Sequence, residues 1–280
     1  MARELVAAAH LSVDGALFLM RLLGIDSLPP VLALMDNVYF AADQRVVDDI
    51  TVPILVEHGF IDPKTARVEP TVEAWLRVLE RPDIEVELRA MQDDRMRRAV
   101  VARRGGEHVL AVRRDEEVVI QGIWSQGNSL DDVVAGPLWA ALRPSSEQTA
   151  PPPAEFDTVT MTLQQAEALA AHPPGDMIRE LRGQLGVDLP TARLLNEVSQ
   201  YSGQRAEIVM RESRGIESVQ TPAGVLVADT SMGRVISAVR RSGQDLAVTF
   251  GPGTYPRFKT AMADLVGLTP SRNWFAASTW

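Results

Sequence analysis

The sequence predicts an α+β protein with a central antiparallel sheet, flanked by helical bundles and built from two halves related by a pseudo-twofold axis. Ala-Val-Arg-Arg stands at 111–114 and again at 238–241, and each copy follows a glycine by five residues, at Gly106 and Gly233. The same order of apolar segments, glycine turns and amphipathic stretches surrounds both copies. Two similar halves can share one sheet, which removes free strand edges, so the repeat indicates pairing of halves.

Each half is predicted to open with a short strand followed by a capped helix. In the first half an apolar segment, 5–11, leads to Ser12, a side chain that caps helices well. In the second half the apolar segment 159–161 leads to Thr162 and Gln165, which match the capping-box pattern.

Amphipathic spacing predicts further helices in both halves, and each half is expected to close with one. Val72, Trp75, Leu76 and Leu79 recur at three- and four-residue intervals, which places them on one packing face. Ser129 and Thr254 stand where the two closing helices should begin. The predicted helices are 42–58, 71–81, 129–142, 176–185, 190–201 and 254–265.

Alternation of apolar and polar residues predicts half-buried antiparallel strands. The two clearest segments are 84–91 and 205–211, in which every second residue is apolar. Glycine and acidic turns separate the other strand candidates, which are 97–103, 109–113, 118–124, 224–229, 235–240 and 246–250. We therefore assign residues 1–143 to an N-terminal half and 156–280 to a C-terminal half that combine into one compact unit. A Pro-, Ser- and Ala-rich linker, 144–155, joins them.

Composition restricts the function. The chain of 280 residues has 46% hydrophobic and 23% charged residues, as an ordinary globular protein does. A net charge of -9 argues against binding of nucleic acid, which needs a clustered basic face. The absence of cysteine fits a reducing compartment, and Arg21 interrupts the longest apolar run, so we expect a cytoplasmic protein without membrane insertion.

The sequence shows no constellation of catalytic residues. His10, His58, His108 and His172 are far apart and lack the spacing of metal ligands. The Gly-Pro-Gly-Thr segment at 251–254 lacks the lysine and the length of a phosphate loop. We therefore predict no catalytic, cofactor-binding or metal-binding residue and no enzymatic activity.

The chain resembles the EspG family of type VII secretion-associated proteins over essentially its whole length, most clearly in two pairs of segments. The more specific is 224–234, with its Asp-Thr-x-x-Gly-Arg stretch, followed by Phe-Gly-Pro-Gly-Thr at 250–254; the other comprises 11–14 and 28–32. The resemblance implies a cytosolic, non-enzymatic chaperone of actinobacteria. Such a chaperone grips the helical tip of the PPE protein in a PE-PPE heterodimer, keeps it soluble and directs the pair to a type VII (ESX) secretion system.

By analogy with that family, the partner is expected to bind the second half and the loop that joins the first long strands. No family motif covers these positions, so topology alone selects them, and a solvated surface is an equal interpretation of each. The candidate partner-binding residues are Asp93, Asp94, Arg95, Met96, Tyr201, Arg205, Glu207, Arg211 and Arg214.

Two other interpretations stay open. A small-ligand-binding protein or an enzyme would use the cleft between the halves, and it would need an enclosed pocket with a perturbed carboxylate or histidine. A secreted substrate of the same system is suggested only by Tyr39 and Asp43, which fit the Tyr-x-x-x-Asp pattern. The sequence specifies neither the PE-PPE pair nor whether the free protein self-associates weakly.

Overall fold

Among the residues that the structure describes, one antiparallel sheet of eleven strands extends through both halves of the protein. The computed structural model describes residues 6–35, 38, 40–92, 95–124, 129–143, 149–200, 203–215 and 217–276. The strands are β1 Ala9–Ser12, β2 Ile84–Gln92, β3 Arg95–Arg104, β4 Glu107–Arg114, β5 Glu117–Gly122, β6 Val159–Thr162, β7 Arg205–Arg214, β8 Glu217–Gln220, β9 Val225–Thr230, β10 Gly233–Ser242 and β11 Asp245–Pro252.

Eight α-helices lie among the described residues. They are α1 Val13–Leu23, α2 Ala41–Glu57, α3 Pro70–Glu80, α4 Gly136–Ala141, α5 Leu163–Ala170, α6 Pro174–Leu185, α7 Leu189–Ser199 and α8 Tyr255–Val266. A 3-10 turn at Pro30–Leu32 and the short strand β8 were not predicted from the sequence.

The strand order repeats on both sides of the β2–β7 pair, which we call the seam. Outward from the seam the first half runs β2, β3, β4, β5, β1, and the second half runs β7, β9, β10, β11, β6, with β8 attached to β7. Because equivalent strands follow in the same spatial order on both sides, a pseudo-twofold axis passes through the seam. The predicted fold class, α+β with two pseudo-twofold-related halves, is confirmed.

The repeated tetrapeptide, however, does not occupy equivalent places. Arg104 pairs with Glu107 across the first-half hairpin, and Thr230 pairs with Gly233 across its counterpart, so Gly233 corresponds to Glu107 and not to Gly106. Because side chains alternate along a strand, this displacement by one residue turns the two copies to opposite faces. Ala111 accordingly packs in the core beneath α1 and α3, and Ala238 packs in the other core, with α8.

The predicted helix starts are largely confirmed by their capping hydrogen bonds. Ser12 Oγ accepts from the Gly15 amide at 3.0 Å, and Thr162 and Gln165 form the reciprocal capping box. The predicted helix at 129–142 begins instead as a π-helical turn, Asp131–Ala135, before α4. Pro137 in the first turn of α4 has no amide to donate to the preceding turn, and a wider turn accommodates it.

The helices cover the two faces of the sheet differently. Helix α3 packs on β3, β4 and β5, whereas α5 and α7 pack on β11 and β9. Side chains of directly paired residues lie on the same face of a sheet. The register pairs Leu226 with Glu207, Glu207 with Arg89, and Arg89 with Arg98, so one face continues from the second half to the first and both bundles cover it. Helices α4 and α8 cover the opposite face. The part of the bundle-covered face that lies on the seam and the adjoining β3, between the bundles, is called the seam face below.

The motif that resembles the EspG signature holds the backbone of the second half together. Asp229 forms a two-pronged ion pair with Arg234, with distances of 2.6 and 2.9 Å. Gly233 has a φ of +116°, and a Cβ there would lie 2.7 Å from the carbonyl oxygen of Pro152. The Arg234 amide donates to that same carbonyl at 2.7 Å. The motif thus fixes where the chain enters the second half, which is a folding role.

The end of the predicted linker is part of this structure. Ala154 is 1% exposed, and its amide donates to the Arg234 carbonyl at 2.9 Å. Residues 152–154 therefore pack beside β10, and residues 144–148 lie outside the described part of the chain.

The C-terminal end of the chain contacts the first half. Trp274 is 1% exposed, and its Nε1 donates to Nε2 of His108 at 3.1 Å. Arg103 of β3 donates to the carbonyl of Ala276 at 2.8 Å. On the face of α4 and α8, the Tyr255 hydroxyl donates to Asp131, and Lys259 Nζ lies 2.5 Å from Oδ2 of the same aspartate. These contacts tie the halves together beyond the seam.

Candidate partner-binding surface

A row of three side chains crosses one end of the seam face. Strand pairing sets Arg205 of β7 opposite Met91 of β2, and Met91 opposite Met96 of β3. Met91 is 49% exposed, and Met96 is half-buried. Flexible thioether side chains adapt to the shape of a bound partner, so this end of the seam face offers an apolar contact surface.

An apolar cleft of about 210 Å³ lies beside this row, beneath the second-half bundle. Among the described residues that line it, Arg205 alone is charged, so the methionine row and the cleft share that side chain. The volume is smaller than the roughly 300 Å³ at which small-molecule sites begin, so the cleft suits one or two apolar side chains better than a cofactor. Its apolar lining includes Met161, Leu169, Met177, Leu181, Leu195 and Phe250.

Charged residues form the rim of this apolar surface. Arg205 binds Glu207 through its Nη2, 3.0 Å from the carboxylate Oε1. In the next row along the seam face, Glu207 stands opposite Arg89, and Arg89 stands opposite Arg98. Burial, together with the charges of Arg113 and Arg89, lowers the pKa of Arg98. The rim beside the methionines is therefore mainly basic.

The structure brings together four of the nine predicted partner-binding residues. Arg95, Met96, Arg205 and Glu207 lie at the end of the seam where β2 leads into β3. Arg95 is exposed, and its backbone pairs with Gln92. Three other candidates lie outside the described residues: Asp93, Asp94 and Tyr201.

The remaining two candidates lie toward the other end of β7. Arg211 and Arg214 are six and nine residues beyond Arg205, which corresponds to about 20 and 30 Å along a strand. Arg211 Nε lies 3.1 Å from Oε1 of Glu87, and Arg214 Nε lies 3.3 Å from Oε1 of Glu212. Arg211 lies on the same face of β7 as Arg205, whereas Arg214, an odd number of residues from Arg205, lies on the opposite face. A partner on the seam face would therefore reach Arg211 only by extending about 20 Å along β7, and it would not contact Arg214.

Sequence reasoning missed three residues of this surface: Met91, Arg89 and Arg98. The alternation at 84–91 places Arg89 and Met91 on one face of their strand. What the alternation does not supply is the pairing register, which sets these side chains beside Arg205, Glu207 and Arg98.

A buried carboxylate pair lies deeper in the seam. Glu85 and Glu87 are 6% and 2% exposed and lie on the same face of β2. Burial, followed by the neighbouring charge of Glu87, raises the pKa of Glu85 to about 8, with Arg211 opposing the shift. Glu85 does not line the cleft, so the perturbed carboxylate and the apolar cleft are separate features of the seam.

Two other kinds of site are absent from the described ranges. No group of three or more His, Asp or Glu side chains in that part of the chain is placed to hold a metal ion. Nor does any helix there combine the length and apolar composition required to cross a bilayer.

The fold and the site define a class: a two-halved α+β sheet protein whose candidate site is an apolar surface cleft with a charged rim. A model of the EspG family matches residues 12–264, and the chain belongs to that family.

Two relatives and one solved structure support this assignment. The ESX-1 secretion-associated protein EspG1 of Mycobacterium tuberculosis is 28% identical over 274 residues, covering 96% of this chain and 90% of that protein. The ESX-3 secretion-associated protein EspG3 of the same species is 28% identical over 287 residues, covering 96% and 93%. The type VII secretion chaperone EspG5 of M. tuberculosis, solved in complex with the PE25–PPE41 dimer, superposes with a TM-score of 0.79. That alignment has 18% identity and covers 97% of this chain and 100% of EspG5.

Proposed function

We propose that the protein is a cytoplasmic, non-enzymatic chaperone that binds the helical tip of a PPE protein in a PE-PPE heterodimer. It keeps that tip soluble and directs the pair to a type VII secretion system. The observation that carries the proposal is the apolar cleft, which opens beside the exposed Met91 and is rimmed by Arg205. The neighbouring structure of EspG5 with PE25–PPE41 supports the choice of partner.

The chemistry of the surface suits such a partner. An exposed apolar helix tip aggregates unless another surface covers it. The cleft accepts its apolar side chains, and the methionine row adjusts around the rest of the tip. Arginines at the rim, Arg89 and Arg205, can donate to the unpaired carbonyls that end a helix.

The chain uses its two halves unequally in this proposal, with the boundaries 1–143, 144–155 and 156–280 retained from the sequence. A Pro-Thr pair begins α3 and α7, at 70–71 and 190–191, and counted from it Trp75 corresponds to Leu195. Trp75 packs on β5 so closely that a Cβ at Gly122 would lie 2.8 Å from its Nε1. Leu195 is smaller and lines the open cleft. We infer that this difference leaves the cleft open in the second half.

Leu195→Trp tests the proposal by filling the cleft with the side chain that the first half already carries. We expect co-purification with a PE-PPE pair from the same genome to fall at least about tenfold, because the partner's apolar anchor loses its pocket. Ile50→Trp adds the same ring on the exposed side of α2, far along the chain from the cleft, and should leave co-purification unchanged.

Circular dichroism and thermal unfolding of Leu195→Trp establish that any loss of binding is not a loss of fold. A folded Leu195→Trp variant that retains the partner would refute the cleft as the binding site. Arg205→Glu and Arg211→Gln, two substitutions on the same face of β7, then determine how much of the seam is covered. Loss of co-purification with Arg205→Glu alone would limit the contact to the end of the seam where β2 leads into β3. Loss with each of the two variants would extend the contact along β7.

A further inference from the structure

Helix α2 presents apolar side chains to solvent on the side that faces away from the core. Val46, Ile50 and Ile54 recur every four residues and are 59%, 64% and 49% exposed; we call them the outer stripe. Thr51 and Leu55, on the other side of the helix, are buried. The outer stripe is therefore a continuous apolar face and not a set of scattered surface residues.

The fold itself does not require this stripe. Helix α6 is the second helix of the other half and takes the place of α2 under the pseudo-twofold relation. It buries Met177 and Leu181, but its exposed residues include Arg179, Arg182 and Gln184. Since the same position is polar in one half, an apolar exposed face in the other indicates contact with something outside the chain.

The charges around the outer stripe select the kind of partner. Asp43, Asp49 and Glu57 are exposed on α2, and none of them forms an ion pair among the described residues. Asp48 of α2 is neutralised by Arg21 of α1 at 2.6 Å. Within α2 itself, Arg45 is the basic residue. Three exposed carboxylates against one guanidinium give the border of the apolar stripe a net negative charge, which complements a partner that is apolar and basic.

The same charges disfavour two other occupants. A second copy packed antiparallel about Ile50 would set Asp43 of one α2 near Glu57 of the other, which is repulsive. An anionic lipid surface would be repelled by the same carboxylates. A stripe of three side chains is also much smaller than the roughly 800 Å² per partner of a standard stable interface, so we expect weak, reversible binding.

We propose that the outer stripe of α2 is a second docking surface, separate from the cleft, for a basic amphipathic helix of another protein. That helix would carry apolar side chains at four-residue spacing, to pack against Val46, Ile50 and Ile54, and lysine or arginine beside them, to face the carboxylates.

The probe is a synthetic, fluorescently labelled helical peptide of about 15 residues with leucines at four-residue spacing flanked by lysine; a matched peptide carries glutamate in place of lysine. In anisotropy titrations of the full chain, the lysine peptide should bind at least about tenfold more tightly than the glutamate peptide. Ile50→Ser combined with Ile54→Ser should weaken its binding at least about tenfold. Asp49→Asn should weaken it about threefold, and added salt should reduce that charge-dependent part.

Arg182→Ser on α6 is the matched control and should leave the affinity for the lysine peptide unchanged. The double serine variant should still co-purify with a PE-PPE pair, which separates this surface from the cleft. Failure of the lysine peptide to bind, or equal binding to the wild type and the double serine variant, would overturn the proposal. So would sedimentation showing that the wild type forms a dimer that the double serine variant cannot form.

Discussion

Replacing Glu85 with glutamine should remove much of the pH dependence of stability that the seam creates. Glu85 neighbours Glu87 on the same face of β2, Arg211 on β7 and apolar Ala102 on β3, and Arg89 lies beyond Glu87. Arg211 lies closest to Glu87, at 3.1 Å, so one cation serves two buried carboxylates. Burial and the charge of Glu87 raise the pKa of Glu85 to about 8, from an ordinary value of 4.5.

The sign of the effect follows from proton uptake. Between pH 4.5 and pH 8 the folded chain holds a proton on Glu85 that the unfolded chain has released. The free energy of unfolding therefore falls as pH rises, by about 1.4 kcal/mol per pH unit, and by roughly 5 kcal/mol over the whole window as an upper bound. This stabilisation is complete below pH 4.5 and is lost as pH rises through 8.

Urea unfolding of the wild type and of Glu85→Gln at pH 6, 7, 8 and 9 measures this slope. Burial also raises the pKa of Glu87, but Glu87 is present in both proteins, so much of its effect cancels in their difference. Between pH 6 and pH 8 the free energy of unfolding of the variant should fall by about 2 kcal/mol less than that of the wild type. Glu217→Gln on the exposed strand β8 is the control and should follow the wild type. Parallel curves for the wild type and Glu85→Gln would show that Glu85 does not titrate in this window.

Two further substitutions, one of them with a matched control, test how the fold is held together. Trp274→Ala should lower the free energy of unfolding by about 3–5 kcal/mol, because it empties a fully buried site and breaks the contact with His108; thermal and urea denaturation measure the loss. Gly233→Ala should cost at least about 2 kcal/mol, because its Cβ would meet the Pro152 carbonyl in a strained backbone conformation. Gly106→Ala, with open space around its Cβ, should change the free energy by less than about 0.5 kcal/mol. Equal effects at the two glycines would contradict their assignment to different places in the hairpins.

The local parts of the fold were predictable because their causes are local. The hydrogen bonds of Ser12 and Thr162 join residues three apart, so the sequence alone contains both partners. The alternation at 84–91 likewise predicts β2 without knowledge of its neighbours. The π-helical turn at Asp131–Ala135 was missed because the sequence predicts one continuous helix over 129–142, and its spacing does not show that Pro137 inside this helix widens the preceding turn.

The register and the site were not predictable because they depend on pairing between distant residues. The tetrapeptides match in letters, but hairpin closure at Glu107 and at Gly233 displaces them by one residue. The same limitation applies to the binding surface. Whether Arg205 neighbours Met91 or another residue depends on how β7 pairs with β2, and a shift by one residue would turn Met91 away from Arg205.

The two halves share a topology but have diverged in the packing of their helices. In the first half Trp75 packs tightly on the sheet, and the exposed apolar residues lie outside the bundle, on α2. In the second half Leu195 lines an open cleft inside the bundle, and α6 is polar outside. A single symmetric site would require both halves to expose the same apolar surface. Because each half exposes its apolar surface in a different place, we expect the cleft and the outer stripe to bind different partners. Filling the cleft with Leu195→Trp should therefore leave binding of the lysine peptide at the outer stripe intact.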